Sequence, residues 1–272
     1  MAITLHREAG LTVLRSELLA PLPHGFSTRP GGVSPAPWDS LNLGPSRGDD
    51  PENVRENYRR FCAVLGTEPE QAVLSQQTHT TNLRRVTAED AGKGLIRPRD
   101  YRDVDALMTD VPGLALTVFS ADCGVILLHD PVHAAIAAIH AGWRGCAGGI
   151  LAKTVRAMTE SYGTDPADLL AAIGPCIGPC CFETDDDVPA AMRAALGAEA
   201  EPYLSYQAPK WHVDLSGLNR QWLLRAGLLP EHIERSELCT ACRPDLFWSH
   251  RKMGERRGVQ AAMIALPGRE DA

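Results

Sequence analysis

CGVILLHDPVHAAIAAIHAGWRGCAGG (residues 123–149) decides how this chain is read. Two apolar runs flank Asp130-Pro131, the pattern of two strands joined by a turn. The second run ends on an ionisable group, His140, and passes at once into a segment holding four glycines, a tryptophan and an arginine. If the chain turns at Pro131-Val132, Asp130 faces His133 and Cys123 faces His140. Opposed residues on antiparallel strands lie about 4.5–5.5 Å apart at Cβ.

At that separation a thiol and an imidazole share either a metal ion or a proton. As metal ligands Cys123 and His140 suit Zn²⁺, and a third protein ligand with an open fourth position makes such a site catalytic. As a catalytic pair, the imidazole deprotonates the thiol for nucleophilic attack. The plainer alternative is a buried thiol packed near a histidine at a turn. Candidates for a third ligand are His24, His79, His212 and His250. His79 stands in a polar run, Gln76-Gln77-Thr78-His79-Thr80, where a core strand would carry apolar residues. His129 and His133 flank the turn, about 20 Å from Cys123 at roughly 3.3 Å per residue, and read as surface histidines.

After His140, Gly148-Gly149 open a helix whose free N–H groups favour an anion. Arg144 adds a forked donor suited to phosphate or carboxylate. The alternative is a glycine-bearing strand-to-helix turn with an exposed arginine.

The 272 residues are 44% hydrophobic and 22% charged, with no biased tract. That is the composition of a globular protein with a substantial core. A net charge of −7 without clustered basic residues argues against nucleic-acid binding. The N-terminal MAITLHREAGLTVLRSELL has no apolar core of signal-peptide length, and no run approaches the roughly 20 residues of a membrane span. A cytoplasmic location is therefore expected, where eight cysteines read as thiols or metal ligands rather than disulfides. Of Cys176, Cys180, Cys181, Cys239 and Cys242, only Cys239 and Cys242 have C-x₂-C spacing. This set is expected to be buried thiols in tight turns rather than a second metal site.

Along the chain, residues 24–44 read as loop and residues 50–66 as a helix capped by Asp-Pro and ended by Gly. Residues 73–86 alternate like a strand, and 114–120 and 169–174 are apolar strands. Residues 148–163, 188–197 and 216–228 read as helices, and 259–266 as a closing strand. Without a regular βαβ rhythm, the expectation is an α+β fold.

Phe26-Ser27-Thr28-Arg29, Gly31-Gly32-Val33-Ser34, Leu41-Asn42-Leu43-Gly44, Gln76-Gln77-Thr78-His79, Ala121-Asp122-Cys123, His140-Ala141-Gly142-Trp143-Arg144-Gly145, Ile173-Gly174-Pro175 and Cys239-Thr240 occur in that order. Together they resemble the laccase-domain family, also called the multicopper polyphenol oxidase or peptidoglycan editing factor family. The resemblance covers nearly the whole chain and implies a single domain over residues 1–272. It implies a layered αββα-type fold with mixed sheets, similar to cysteine-hydrolase-like toxins. It also implies a metal site of His79, Cys123 and His140, for zinc or alternatively copper. The chain departs from the family pattern at QTHT (77–80), FWSHRK (247–252) and RGVQ (257–260).

The resemblance implies three activities. Copper-dependent oxidation of polyphenols fits least, because the chain has nine histidines and no His-x-His pair. Purine nucleoside phosphorolysis of adenosine, inosine and methylthioadenosine, with adenosine deaminase as a side activity, is the expected function. Hydrolytic editing of mis-loaded peptidoglycan precursors is the alternative. The expected catalytic residues are Cys123, His140 and Asp122, with Arg29, Asn42, Gln77 and Arg144 contacting substrate. The expected partners are a nucleoside and phosphate, with no nucleic acid and no membrane, for a monomer or weak homodimer.

Overall fold

A computed structural model describes residues 3–268. The two apolar runs form strands Gly124–Asp130 and Ala135–Ala141 at the centre of a six-stranded sheet. Its spatial order is Ile233–Arg235, Leu170–Ile173, Gly124–Asp130, Ala135–Ala141, Ala106–Thr109 and Leu83–Arg85. A second six-stranded sheet runs Ile3–Glu8, Leu11–Ser16, His24–Ser27, Gln260–Ala265, Ala115–Ser120 and Ala72–Leu74. Successive side chains on a strand point to opposite faces, so Val125 and Leu127 join a core that also holds Phe26, Val118 and Ile264 of the second sheet. Ile126 and Leu128 point the other way. Both faces of the central strands are covered, which is why their sequence is continuously apolar instead of alternating.

The helices are α1 (Pro51–Leu65), α2 (Trp143–Ala147), α3 (Ile150–Tyr162), α4 (Asp187–Leu196), α5 (Leu215–Arg225) and α6 (His250–Met253). Helices α3 and α5 cover the outer face of the first sheet, with Ile150, Val155, Met158 and Leu223 against Ile126, Leu128 and Ile139. Helix α1 covers the second sheet through Tyr58, Phe61 and Leu65 against Val13, Leu74 and Met263. The layers are therefore helix, sheet, sheet, helix. Most strand pairs are antiparallel and three are parallel, which makes this an α+β fold with mixed sheets. Helix α1 forms where its caps predict: Asp50 accepts the N–H of Glu52, Pro51 opens the first turn, and Gly66 closes it at φ 76°. Among the described residues no helix is long and apolar enough to cross a membrane.

Two local expectations are corrected. The hairpin loop is longer than Pro131-Val132, because Asp130 Oδ1 accepts the N–H groups of Val132 (2.9 Å) and His133 (3.0 Å) and Ala134 adopts φ 48°. Val125 therefore faces His140, and Gly124 faces Ala141. The slip is two residues, an even number, so Cys123 keeps its face and becomes a diagonal neighbour of His140. Residues 73–86 are not one strand: Ala72–Leu74 and Leu83–Arg85 lie in different sheets, and the polar stretch between them is irregular. The helix expected over 148–163 forms as α3, preceded by Gly149 at φ 72°, which separates it from α2, and closed by Gly163 at φ 79°.

Leu127 is fully buried between the two sheets. Leu127→Ala is expected to lower the unfolding free energy by about 2–5 kcal/mol in urea titrations. A loss below about 1 kcal/mol would mean that the sheets do not share this core.

Candidate metal centre and its cavity

His79, Cys123 and His140 converge so that one ligand atom from each lies within 4.8 Å of the others. The two imidazoles meet edge to face, with centroids 5.0 Å apart. His140 is the next-to-last residue of its strand and buried, with its Nδ1 2.8 Å from Asp105 Oδ1. That bond leaves Nε2 free to face the cluster, as in carboxylate–histidine–metal arrangements.

The same carboxylate builds the other half of the site. Asp105 accepts the backbone N–H groups of Thr78 (3.2 Å), His79 (3.1 Å) and Thr80 (2.9 Å), together with the Thr80 hydroxyl (2.9 Å). These bonds wrap the 78–80 turn around one buried anion and hold His79 at φ 62°, a conformation that a non-glycine residue adopts at a cost of order 1–3 kcal/mol. Burial disfavours a charged Asp105, but His140 and the backbone donors outweigh it, so its pKa lies below the ordinary carboxylate range. His79 is shifted down by partial burial and by the charge of His140.

Cys123 is placed by a second constrained turn. Asp122 adopts φ 91°, and its carboxylate accepts from Thr240 Oγ1 (2.6 Å), Ser249 Oγ (3.1 Å) and Arg251 N (2.7 Å). Ser120 Oγ donates to the Cys123 carbonyl at 2.6 Å. Gly142 lies directly against the cluster: a Cβ there would sit 2.9 Å from Cys123 Sγ and 3.1 Å from His79 Nδ1. Two imidazoles, one thiol, an oriented ring and a glycine that leaves room beside them fit a bound metal ion.

The cluster opens into a cavity of about 660 Å³, within the usual range of small-molecule sites. Phe119, Trp143, Ile177, Phe182 and Leu215 give it apolar walls, and Arg47, Arg99, Arg251 and Arg257 make it basic. Arg257 stands out among these. It is only 8% exposed, its Nε has no hydrogen-bond partner, and among the described residues no carboxylate lies within ion-pair distance, Asp122 and Glu255 acting on it only at longer range. Burial first, then the charge of Arg47, lowers its pKa.

Residues 23–267 match the family model described as "Multi-copper polyphenol oxidoreductase laccase". The chain belongs to this laccase-like family. It is 38% identical over 252 residues to the protein named purine nucleoside phosphorylase YlmD of Geobacillus stearothermophilus, covering 91% of this chain and 90% of that protein. It is 37% identical over 261 residues to a purine nucleoside phosphorylase of Deinococcus radiodurans, covering 96% and 95%. The crystal structure of YlmD from Geobacillus stearothermophilus superposes with a TM-score of 0.91 at 36% identity, covering 97% of this chain and 99% of that one.

The remaining expected site residues of this laccase-like chain are distributed unevenly. Gln77 lines the cavity, but its amide is paired with the Phe119 backbone through Nε2 to O (2.8 Å) and N to Oε1 (2.6 Å). Asp122 also lines it, with its carboxylate oxygens engaged as above. Arg29 lies outside the lining, bound to Asp39 Oδ2 at 2.6 Å and the Pro244 carbonyl at 3.0 Å, and stacked 4.6 Å over Trp248. Asn42 is fully buried outside it, bonded to Asp49 and to the amides of Gly44 and Val259. Arg144 is exposed over the Trp143 ring at 4.2 Å and reaches His79 only through its charge. Gly148-Gly149 are not part of the cavity wall, and the Trp222 ring covers Gly149. Of the other third-ligand candidates, His24 is buried between Ser16 N and Leu22 O, and His212 caps the Pro179 carbonyl.

Sequence reasoning missed Asp105 and the cavity arginines. An acidic residue directly ahead of the apolar Ala106-Leu107-Met108 was the available signal for Asp105. Nothing local marks Arg257, which reaches the cavity by tertiary folding.

Two outcomes follow from this geometry. Gly142→Ala should lose most of its bound metal, by metal analysis after desalting, while its circular dichroism spectrum stays native. Full metal retention would place the ion elsewhere. In the metal-free protein, burial opposes a charged His140, but Cys123 and Asp105 outweigh it and hold its pKa up at about 9. A folded value above the ordinary 6.5 means that this ring's contribution to stability is complete below about pH 6.5 and is lost as pH rises through about 9. Asp105→Asn should pull that pKa down in an NMR titration and weaken metal affinity by roughly 10–100-fold. An unchanged pKa would remove Asp105 from this role.

Proposed function

We propose that this chain is a zinc-dependent purine nucleoside phosphorylase acting on adenosine, inosine and methylthioadenosine, with adenosine deaminase as a side activity. The observation that carries the reading is Arg257, a buried guanidinium that no carboxylate among the described residues reaches at ion-pair distance, in the same cavity as the His79, Cys123 and His140 cluster. A buried charge without a partner costs several kcal/mol, and a phosphate anion removes that penalty. The names of the relatives support the same reading.

In this reading His79, Cys123 and His140 hold the metal, which supplies Lewis-acid polarisation of a substrate group. Arg257, with Arg47 beside it, holds phosphate in a bidentate or paired geometry. The aromatic faces of Phe119, Trp143 and Phe182 take the purine and exclude water from the sugar. A phosphate oxygen then bonds to the anomeric carbon, the glycosidic bond breaks, and its electron pair leaves with the base. Asp122 acts by fixing the Cys123 turn and Gln77 by fixing the Phe119 strand end, since their polar atoms are engaged within the protein. The histidine-containing cluster among the described residues holds two histidines, too few for the histidine-rich trinuclear copper site of a multicopper oxidase.

Purified protein should release hypoxanthine from inosine only when phosphate is supplied, and Cys123→Ala should abolish the release. Arg257→Met should raise KM for phosphate on the order of 10–100-fold, the loss of a charged hydrogen bond worth about 1.5–3 kcal/mol, and change KM for inosine little. Release that ignores phosphate sinks the assignment. Turnover of a muramyl-type amide in its place would favour hydrolytic editing of cell-wall precursors.

A further inference from the structure

Outside the cavity, the described residues hold a second convergence of ligand atoms. We propose that Cys180, Cys181, Cys239 and Cys242 form a closed tetrathiolate site for a second, structural Zn²⁺ that clamps one wall of the cavity. The four sulfurs all lie within 4.8 Å of one another. Cys242 Sγ is 3.5 Å from Cys180 Sγ and 3.4 Å from Cys181 Sγ. Four thiolates bound tetrahedrally at about 2.3 Å from zinc stand about 3.8 Å apart, so the spacing brackets what the ion needs. A disulfide explains less, because it pairs one sulfur with one other, and Cys242 is equally close to two.

The turns have the form that a thiolate site requires. Cys239-Thr-Ala-Cys242 is a C-x₂-C turn, and the Cys239 sulfur accepts the N–H of Gly178 at 3.2 Å, with the amides of Cys242 and Ala241 adding to it. A Cβ at Gly178 would lie 3.3 Å from Cys239 Cβ and 3.4 Å from Cys180 Sγ, so glycine allows the two turns to close on each other. The expectation that these are buried thiols in tight turns is corrected for four of the five. Cys180 and Cys242 are exposed, and Cys176, which is buried, stays outside the group. The sequence concealed the set because one half is an adjacent pair, Cys180-Cys181, and not a second C-x₂-C.

The location gives the site its consequence. Four thiolates leave no open position, which is the mark of a structural ion. The two turns are also joined by Thr240 N to Cys176 O at 3.0 Å, and both hold Asp122: Ile177 N donates to its carbonyl at 2.9 Å and Thr240 Oγ1 to its carboxylate at 2.6 Å. Asp122 precedes Cys123, and Ile177 and Phe182 are cavity wall. An ion here therefore fixes the backbone that presents Cys123.

The test is zinc stoichiometry by elemental analysis on protein purified under reducing conditions, supplied with zinc and then desalted. Wild type should carry two zinc ions per chain, Cys123→Ala one, and Cys180→Ser/Cys242→Ser one. No nucleoside enters the measurement, so it is independent of the phosphorylase reading. Cobalt added to Cys123→Ala gives a second readout, in which thiolate-to-cobalt charge transfer and intense tetrahedral bands are expected. Absence of those bands, or wild type holding one zinc with the four thiols titrating as free or disulfide-bonded, overturns the proposal.

Discussion

Asp105 buries a single carboxylate beneath the 78–80 turn and gives its oxygens to three backbone amides, a threonine hydroxyl and the His140 ring. Water is excluded there, so each of these bonds matters more than it would at the surface, and losing one would leave a buried donor or the anion itself unsatisfied. One residue thus ties an irregular loop, which carries one imidazole, to the end of a core strand, which carries the other. The left-handed backbone of His79 persists because these bonds over-determine it. The carbonyl of Asp105 adds a further bond, accepting His140 N at 2.8 Å, so the strand end and the loop move as one piece.

The opposite side of the site has a parallel construction. Asp122 is also left-handed, also nearly buried, and also gathers its donors from distant segments, Thr240, Ser249 and Arg251. Cys123 is thereby presented by a turn whose stability comes from the C-terminal third of the chain. Between the two carboxylates, Gly142 supplies the missing side chain that lets sulfur and imidazole approach. The cavity beyond them is unlike the protein's net charge of −7, since four arginines outnumber Asp122 and Glu255 in its lining and no carboxylate among the described residues reaches Arg257 at ion-pair distance. Local positive potential in a net acidic protein is what selective recruitment of a small anion requires.

The layered fold was legible because burial on both faces writes itself as continuous apolar runs, as in Val125-Ile126-Leu127-Leu128, and because α1 carries both of its caps in sequence. The proximity of Cys123 and His140 was legible for a different reason. Sheet periodicity is two, so an error of two residues in the turn left both side chains on the same face. Arg29, Asn42 and Arg144 stand outside the cavity lining, and polar residues in glycine-rich loops serve loop architecture as readily as ligands: Asn42 stitches Gly44, Asp49 and Val259 together. Asp105 and Arg257 were illegible because their partners lie tens to hundreds of residues away and no local pattern encodes those meetings, and the four-cysteine group was legible only in its C-x₂-C half for the same reason.

The most direct test of the account is the identity of the sugar product, read by ³¹P NMR during turnover of inosine in phosphate buffer. A sugar phosphate with a phosphate ester at the anomeric carbon should accumulate in step with hypoxanthine, one for each base released. Free ribose appearing at the same rate, with no new phosphate ester, would contradict the assignment of the arginine-lined cavity to phosphate.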